Sequence, residues 1–203
     1  MKIICIGQNY QDHIEELGSK PAGEPLFFLK PDSAILLNQQ PFVIPEFSDR
    51  IEYEVEVLVK IKKIGKYIQP KFAHTYYEEI GLGIDFTARD LQRSCKELGH
   101  PWEKAKAFDG SAVVGKWIKK SDLGALDNID FSLKKNGTTV QEGNTANMIY
   151  KIDQIIAHVS KFMTLKIGDI LFTGTPKGVG AVAIDDKLTG FLSGKPMFAI
   201  NIK

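Results

Sequence analysis

Three acidic residues have the spacing expected of metal ligands. Glu54 and Glu56 stand two residues apart in an alternating stretch, so on a β-strand both carboxylates lie on one face, about 6 to 7 Å of backbone apart. Asp85 follows a predicted strand and could supply a third oxygen. Carboxylates select hard cations such as Mg²⁺, Ca²⁺ or Mn²⁺. The alternative is a solvated acidic face on an edge strand, and we expect that role for Glu52.

Polar residues at the start of a predicted helix follow Asp85. Arg89 and Gln92 are three residues apart and lie on a different helix face from Leu91, so they are expected to face the predicted metal. Cationic and amide donors at this place suit the carboxylate or enolate oxygens of a substrate. An ordinary polar helix face is the alternative interpretation.

A histidine and a glutamate occur together in a short predicted helix from Tyr10 to Leu17. His13 and Glu16 are three residues apart, and a carboxylate that holds one imidazole nitrogen leaves the other free to act as a base toward water. A helix this short is only marginally stable by itself. We therefore expect it to act as a mobile lid that covers a site. The alternative is a surface His/Glu pair.

A glycine-rich stretch runs from Thr173 to Gly180. It has neither the P-loop pattern nor the dinucleotide pattern, so nucleotide binding is not indicated. Its backbone amides and the Thr175 hydroxyl could still hold a small carboxylate. The chain also has no Gly-x-Ser-x-Gly elbow and no His-Glu-x-x-His motif.

Strands are the main elements predicted to position these residues. A long strand is expected over 51–63, with Tyr53 and the valines that follow on the apolar face, and Asn136-Gly137 predicts a hairpin. Shorter strands are expected over 2–6, 26–29, 35–37, 80–84 and 170–173. Helices are expected over 10–17, with Asn9 as N-cap, and over 72–77. A third helix is expected after a Thr87/Asp90 capping box, with Leu91, Cys95 and Leu98 on its buried face. A fourth is predicted by the apolar stripe of Ile152, Ile155, Ile156 and Val159.

Composition narrows the class of protein. The 203 residues suit one domain spanning residues 1–203, with 43% hydrophobic and 25% charged residues, and no repeat or linker divides them. A net charge of +1 gives no field for nucleic acid or an acidic membrane surface. No apolar run approaches the roughly 18 residues of a membrane span. The two cysteines stand alone and the apolar N-terminal run is too short for a signal peptide, so we expect a cytoplasmic location.

Seven motifs together resemble the fumarylacetoacetate hydrolase family in order and spacing, over essentially the whole chain. They are Gly7-Gln8-Asn9-Tyr10 with Asp12-His13, Phe28-Leu29-Lys30-Pro31, Tyr53-Glu54-Val55-Glu56, Asp85 to Asp90, Ala105 to Asp109, Gln141 to Thr145, and Thr173 to Gly180. In its short length the chain is most similar to the acylpyruvase branch of this family. The resemblance implies an α+β fold, a strand-rich mixed β-roll with a few peripheral helices, and a homodimer.

The resemblance also implies roles for particular side chains. It implies that Mg²⁺ or Mn²⁺ is bound by three carboxylates, those of Glu54, Glu56 and Asp85. Ca²⁺ could take the same place in crystals. It implies that Lys106 and Gln92 stabilise oxyanion charge. It implies further that Arg89 and Thr175 help to hold an oxoacid, and that His13 with Glu16 activates water. The expected partner is a small 2-oxo or 2,4-dioxo carboxylic acid.

The predicted activity is hydrolysis of a carbon–carbon bond in a 3-acylpyruvate, which yields pyruvate and a carboxylate. Alternatives with the same metal chelate are isomerisation or tautomerisation of hydroxymuconate-like dioates and decarboxylation of oxaloacetate. A non-catalytic metalloprotein that binds oxoacids is an alternative from another class.

Overall fold

Strands dominate the structure, a computed structural model that describes residues 1–37 and 40–203. The strands of the described residues are β1 (Ile3–Gly7), β2 (Leu26–Lys30), β3 (Ile51–Tyr53), β4 (Val55–Ile61), β5 (Tyr77–Asp85), β6 (Thr87–Ala88), β7 (Ala112–Lys119), β8 (Asp130–Lys135), β9 (Thr138–Asn144), β10 (Ile170–Phe172), β11 (Gly180–Ala181), β12 (Lys187–Leu192) and β13 (Lys195–Asn201). The helices are α1 (Gln11–Glu16), α2 (Pro70–Ala73), α3 (Arg89–Leu98), α4 (Glu103–Lys106) and α5 (Ile152–Phe162). The expected strand-rich, mixed α+β class is confirmed.

The largest sheet has six strands in the order β2-β1-β10-β4-β5-β7. Its β1 and β10 pair in parallel and its other neighbours are antiparallel. A four-stranded sheet, β13-β12-β8-β9, lies against it, and a three-stranded sheet, β11-β3-β6, adjoins the site. The buried side chains of α5 pack into the same core: Ile152, Ile155, Ile156 and Val159, the stripe expected from sequence.

The pairing of β4 with β5 brings the acidic residues together. Val55 pairs with Ile84 and Glu56 with Gly83, and the Asp85 amide donates to the Glu54 carbonyl over 2.9 Å. Directly opposed residues of an antiparallel pair share a face, so the carboxylates at 54, 56 and 85 point to one side. Gly83 is required in this arrangement because a Cβ there would come within 2.1 Å of the Val113 carbonyl oxygen.

The hairpin predicted at Asn136-Gly137 is confirmed. It joins β8 and β9, and both turn residues have positive φ, 53° at Asn136 and 85° at Gly137, as a type I′ turn requires. The predicted strand over 51–63 is interrupted at Glu54, where β3 leaves to pair with β6 and β11. This break is possible because the Gln141 side chain accepts the Val55 amide over 2.9 Å.

Several local predictions are wrong for tertiary reasons. Residues 35–37 form only an isolated bridge from Ile35 to Ala112, and the predicted helix over 72–77 is replaced by α2 and the start of β5. Asn9 does not cap α1; its side chain donates to the carbonyls of Thr173, over 2.8 Å, and Tyr150, over 3.0 Å. It thereby ties the start of α1 to the glycine-rich loop.

The predicted capping box before α3 is also absent. Ala88 is the N-cap and makes no side-chain cap, while the Thr87 hydroxyl accepts from the Lys106 ammonium over 2.5 Å. Cys95 is buried as predicted, but Leu98 is 63% exposed. The buried face of α3 is formed instead by polar residues, Arg89 and Gln92, because it covers the charged site rather than an apolar core.

Candidate metal centre and active site

Three buried carboxylates meet at one point of the structure. Glu54, Glu56 and Asp85 each offer an oxygen, and these oxygens lie within 4.8 Å of one another. None of the three residues is more than 5% exposed. The alternative of a solvated acidic face on an edge strand is therefore wrong, because β4 lies between β10 and β5 in the six-stranded sheet and the three carboxylates are buried.

Two cations neutralise part of this cluster. The Lys106 ammonium donates to Glu54 Oε2 over 2.7 Å and to Asp85 Oδ2 over 3.0 Å, and the Arg89 guanidinium donates to Glu54 Oε1 over 2.5 Å. Burial alone would raise the pKa of Glu54, but Lys106 and Arg89 outweigh it and hold that pKa well below its usual range. Burial would also lower the pKa of Lys106, and Asp85 and Glu54 together raise it.

Glu56 is the member of the cluster that has no cationic partner within the described residues. Its Oε2 accepts the Gly174 amide over 2.7 Å. Burial, followed by the charges of Asp85 and Glu54, raises the pKa of Glu56 well above its usual value. A divalent cation would supply the positive charge that Glu56 lacks, and the all-carboxylate donor set suits Mg²⁺ or Mn²⁺. The residues therefore fit a metal of this kind.

A pocket lies over the carboxylates and contains most of the side chains that the sequence singled out. Its lining includes eight of the nine predicted site residues: His13, Glu54, Glu56, Asp85, Arg89, Gln92, Lys106 and Thr175. The outer part of the pocket is apolar and is formed by Leu17, Leu26, Phe28 and Trp102. A polar floor under an apolar mouth suits a small anionic substrate.

The ninth residue, Glu16, lies behind His13. Its Oε2 is 3.0 Å from His13 Nδ1, and its Oε1 accepts the Gly178 amide over 2.9 Å. The glycine-rich loop thus fixes the carboxylate that orients the imidazole. His13 is 6% exposed, whereas the Glu16 side chain is 31% exposed. The imidazole is therefore buried at the pocket, and its second nitrogen remains available for proton transfer.

The glycine-rich loop holds carboxylates, but they belong to the protein. Gly174 binds Glu56 and Gly178 binds Glu16 through their amides. The Thr175 hydroxyl donates to the Val55 carbonyl and accepts from the Gln141 side chain, both over 2.9 Å. Its predicted contact with an oxoacid stays a prediction, and it would require this hydroxyl to exchange its partner.

Sequence reasoning underestimated one acidic residue and missed one basic residue. Glu52 is not solvated; it is 3% exposed and accepts from Arg89 over 2.6 Å, which positions the guanidinium over the site. Lys30 is 1% exposed, lies 2.8 Å from Asp85 Oδ1 and donates to the carbonyl of Lys106. A charged residue that ends the apolar run 26–29 was the available signal for such a role.

We expect replacement of Lys30 by Met to lower the free energy of unfolding by about 3–5 kcal/mol, because it removes one of the two buried cationic partners of Asp85 and leaves Asp85 Oδ1 without its ammonium. Urea unfolding measures this loss. The matched control is Lys60→Met, which breaks the half-exposed pair with Glu79 at 2.8 Å and should cost at most about 1 kcal/mol. Equal effects of the two substitutions would contradict a positioning role for Lys30.

Similarity to known proteins shows the family to which this chain belongs. The profile of the fumarylacetoacetate hydrolase C-terminal family matches residues 2–200. The chain belongs to this family, whose members carry out metal-dependent chemistry as enzymes.

Particular relatives are similar over almost the whole chain. Oxaloacetate tautomerase YcgM of Escherichia coli K12 is 41% identical over 93% of this chain and 86% of its own length. The mitochondrial oxaloacetate tautomerase FAHD1 of Bos taurus is 40% identical, over 95% of this chain and 87% of its own. A crystal structure of fumarylpyruvate hydrolase from Pseudomonas aeruginosa with Mn²⁺ and pyruvate has a TM-score of 0.93 and 32% identity, over 100% of this chain and 89% of that one.

Among the described residues, no helix is long and apolar enough to cross a membrane.

Proposed function

We propose that the protein is a metal-dependent tautomerase that interconverts the enol and keto forms of oxaloacetate or a closely similar 2-oxo dicarboxylate. The observation that carries the proposal is the pocket in which Lys106 and the three carboxylates face one another beneath Arg89 and Gln92. The YcgM and FAHD1 relatives described above bear the name of this activity, which supports the proposal. Tautomerisation is predicted from the sequence as an alternative to acylpyruvate hydrolysis, with hydroxymuconate-like dioates as substrates; the names of the relatives favour oxaloacetate instead.

The reaction moves one proton between carbon 3 and the oxygen on carbon 2 of the substrate. A divalent cation bound by Glu54, Glu56 and Asp85 would supply Lewis acidity and a template for the 2-oxo carboxylate end. The Lys106 ammonium faces the same place, and its charge stabilises negative charge that develops on the enolate oxygen. Its three N–H groups already donate to Glu54, Asp85 and Thr87, so a direct hydrogen bond to the substrate requires one of them to exchange its acceptor. Gln92 lines this wall and offers an amide donor to the same oxygen. Its carbonyl oxygen is fixed by Arg89 over 2.6 Å, which leaves the amide nitrogen for the substrate.

His13 is the group best placed to carry the proton. Glu16 holds Nδ1, so the free nitrogen of the imidazole can accept a proton from carbon 3 and return it. The apolar mouth formed by Leu17 and Phe28 limits the access of water to this exchange. Tautomerisation consumes no water, which distinguishes it from the hydrolytic use of the same dyad.

Mg²⁺ or Mn²⁺ is proposed as the cofactor. The all-oxygen donor set supports both ions, and the similar Pseudomonas structure holds Mn²⁺. A small 2-oxo acid is the proposed partner, as that structure also contains pyruvate. We do not expect nucleic acid to bind, since the net charge is +1.

The direct test follows the disappearance of enol-oxaloacetate by its ultraviolet absorbance, with Mg²⁺, with Mn²⁺ and with chelator. Metal-dependent acceleration above the uncatalysed rate supports the proposal. In the same reactions, release of carbon dioxide would identify oxaloacetate decarboxylation. Binding of the metal and an oxoacid without turnover of any oxoacid, acetylpyruvate included, would support a non-catalytic oxoacid-binding metalloprotein.

Hydrolysis of 3-acylpyruvates is the second candidate, and the His13–Glu16 dyad is the observation that favours it. In this reaction His13 takes a proton from water, which attacks the distal carbonyl, and the bond to the pyruvate unit breaks. Pyruvate release from acetylpyruvate, coupled to lactate dehydrogenase, measures it. Faster turnover of acetylpyruvate than of enol-oxaloacetate would place hydrolysis first.

We expect replacement of His13 by Asn to lower the tautomerase kcat by about 10² to 10⁴-fold, because a positioned base contributes a factor of that size. Metal affinity should stay unchanged, since His13 is not among the carboxylate ligands. Glu15→Gln, on the exposed side of α1, is the control and should retain full activity. An unchanged kcat in the His13 variant would rule out its role as the proton carrier.

The homodimer and the cytoplasmic location belong to the same proposal. Both free cysteines, Cys5 and Cys95, are buried, which agrees with a reducing compartment without requiring one. Sedimentation analysis of the purified protein tests the dimer.

A further inference from the structure

One wall of the pocket is formed by a single face of α3. Arg89, Gln92 and Lys96 all line the pocket, at positions separated by three and then four residues, which share a helix face. Lys96 lies about 10 Å along the helix axis from Arg89. Helical side chains lean toward the N-terminus, so the Lys96 ammonium reaches back over the pocket mouth toward the carboxylates.

Lys96 differs from the other cations of the pocket in its partners. Arg89 is paired with Glu52 and Glu54, and Lys106 is paired with Glu54 and Asp85. Among residues 1–37 and 40–203, no carboxylate lies within 4.0 Å of the Lys96 ammonium. The lysine is therefore free to bind an anion that enters the pocket.

The aromatic side chains of the mouth place this ammonium. Lys96 Nζ lies 5.6 Å from the centroid of the Trp102 ring, and Trp102 packs against Phe28 with 5.7 Å between ring centroids. Lys106 Nζ lies 5.3 Å from the centroid of Phe28. The two aromatic rings thus form a continuous apolar wall with an ammonium group at each end. A short carbon chain with an anionic group at both ends fits such a wall.

The charge of the site points to the same ligand. Four buried carboxylates face three buried cationic side chains: Glu52, Glu54, Glu56 and Asp85 against Lys30, Arg89 and Lys106. The half-exposed Arg50 also pairs with Glu52. A divalent cation would therefore leave the site with excess positive charge, to which Lys96 adds, and a dianion would offset that charge better than a monoanion. Partial desolvation, followed by the charges of Arg89 and Lys106, lowers the pKa of Lys96. An arriving carboxylate would relieve that repulsion.

We propose that Lys96, seated over Trp102 at the mouth of the pocket, binds the substrate carboxylate farthest from the metal-binding carboxylates and so selects 2-oxo dicarboxylates over 2-oxo monocarboxylates. This inference rests on the proposed function and assigns its substrate class to a residue. Lys96 is a specificity-determining residue here, and the proton transfer does not pass through it.

The kinetic test compares Lys96→Met with Lys104→Met, an exposed lysine on α4 that lies outside the pocket lining. We expect Lys96→Met to raise the KM for enol-oxaloacetate about tenfold or more, since a charged hydrogen bond is lost. The inhibition constant of 2-oxobutanoate, which has a methyl group in place of the distal carboxylate, should change by less than about twofold. Lys104→Met should leave both constants unchanged.

A binding test separates this inference from the proposed function. Calorimetry on the Mn²⁺-loaded protein compares 2-oxoglutarate with 2-oxopentanoate, which have equal chain length and differ only in the distal carboxylate. The wild type should prefer the dicarboxylate about tenfold or more, and Lys96→Met should lose that preference, whether or not tautomerase activity is found. A wild type without the preference, or a variant that retains it, overturns the inference. Absent tautomerase activity with the preference intact overturns only the proposed function.

Discussion

Replacement of Glu56 by Gln is expected to abolish metal-dependent catalysis while leaving the metal-free protein at least as stable as the wild type. Glu56 is 2% exposed, and among residues 1–37 and 40–203 its carboxylate accepts one hydrogen bond, from the Gly174 amide. A buried carboxylate without a counter-charge destabilises the folded state. Glutamine keeps the shape and removes that charge.

The loss of function follows from the same charge. A neutral amide is a poor ligand for a hard divalent cation. Loss of a residue that is only hydrogen-bonded to a metal ligand lowers metal affinity by about 10- to 100-fold, so we expect loss of a ligand itself to lower it by about 10²-fold or more. Calorimetric titration with Mn²⁺ measures the affinity and thermal unfolding measures stability. Glu78→Gln, on the exposed part of β5, should change neither. A Glu56→Gln variant that binds Mn²⁺ with wild-type affinity would show that this carboxylate is not a ligand.

Replacement of Lys106 by Met should have the opposite effect on stability and a comparable effect on catalysis. The ammonium is buried and donates to Glu54, Asp85 and Thr87. Its removal leaves two carboxylates without that partner, which should lower the free energy of unfolding of the metal-free protein by about 3–5 kcal/mol. The kcat should fall by about 10² to 10³-fold, the loss typical of one oxyanion donor.

Metal ions provide a further check on Lys106. A divalent cation bound only by the folded state would stabilise it and would replace part of the missing positive charge. We therefore expect saturating Mg²⁺ to restore more stability to the Lys106→Met variant than it adds to the wild type. Lys104→Met, on the exposed side of α4, is the matched control. Full activity in the Lys106 variant would exclude the ammonium from the chemistry.

The two substitutions together separate the parts of the cluster. Glu56 carries the charge that the protein does not neutralise by itself, whereas Lys106 neutralises the charges of Glu54 and Asp85. Opposite changes in the stability of the metal-free protein are the result that distinguishes a prepared metal site from a set of ordinary buried ion pairs.

Local patterns predicted the elements that the core requires. Strict alternation over Tyr53, Val55, Val57 and Val59 predicted one strand where the structure has β3 and β4, and the Asn136-Gly137 pair predicted the β8–β9 hairpin. Both signals depend on neighbours in the chain. The helical stripe through Ile152 and Val159 did the same for α5. The predicted capping box at Thr87 does not form, because the threonine hydroxyl accepts a hydrogen bond from Lys106, which lies outside the helix that the box would cap.

By itself, the sequence determined the residue types of the site and their order: two glutamates two residues apart, an aspartate at the end of the next strand, and the histidine–glutamate pair. The spacing within each element is local, so periodicity was enough to place them. Only the tertiary structure decided that the acidic face is buried, that Glu52 and Lys30 support it, and that Glu56, within the described part of the chain, is the carboxylate of the cluster without a cationic partner. These properties depend on which distant elements cover the sheet, because burial and charge pairing arise from contacts between residues far apart in the chain.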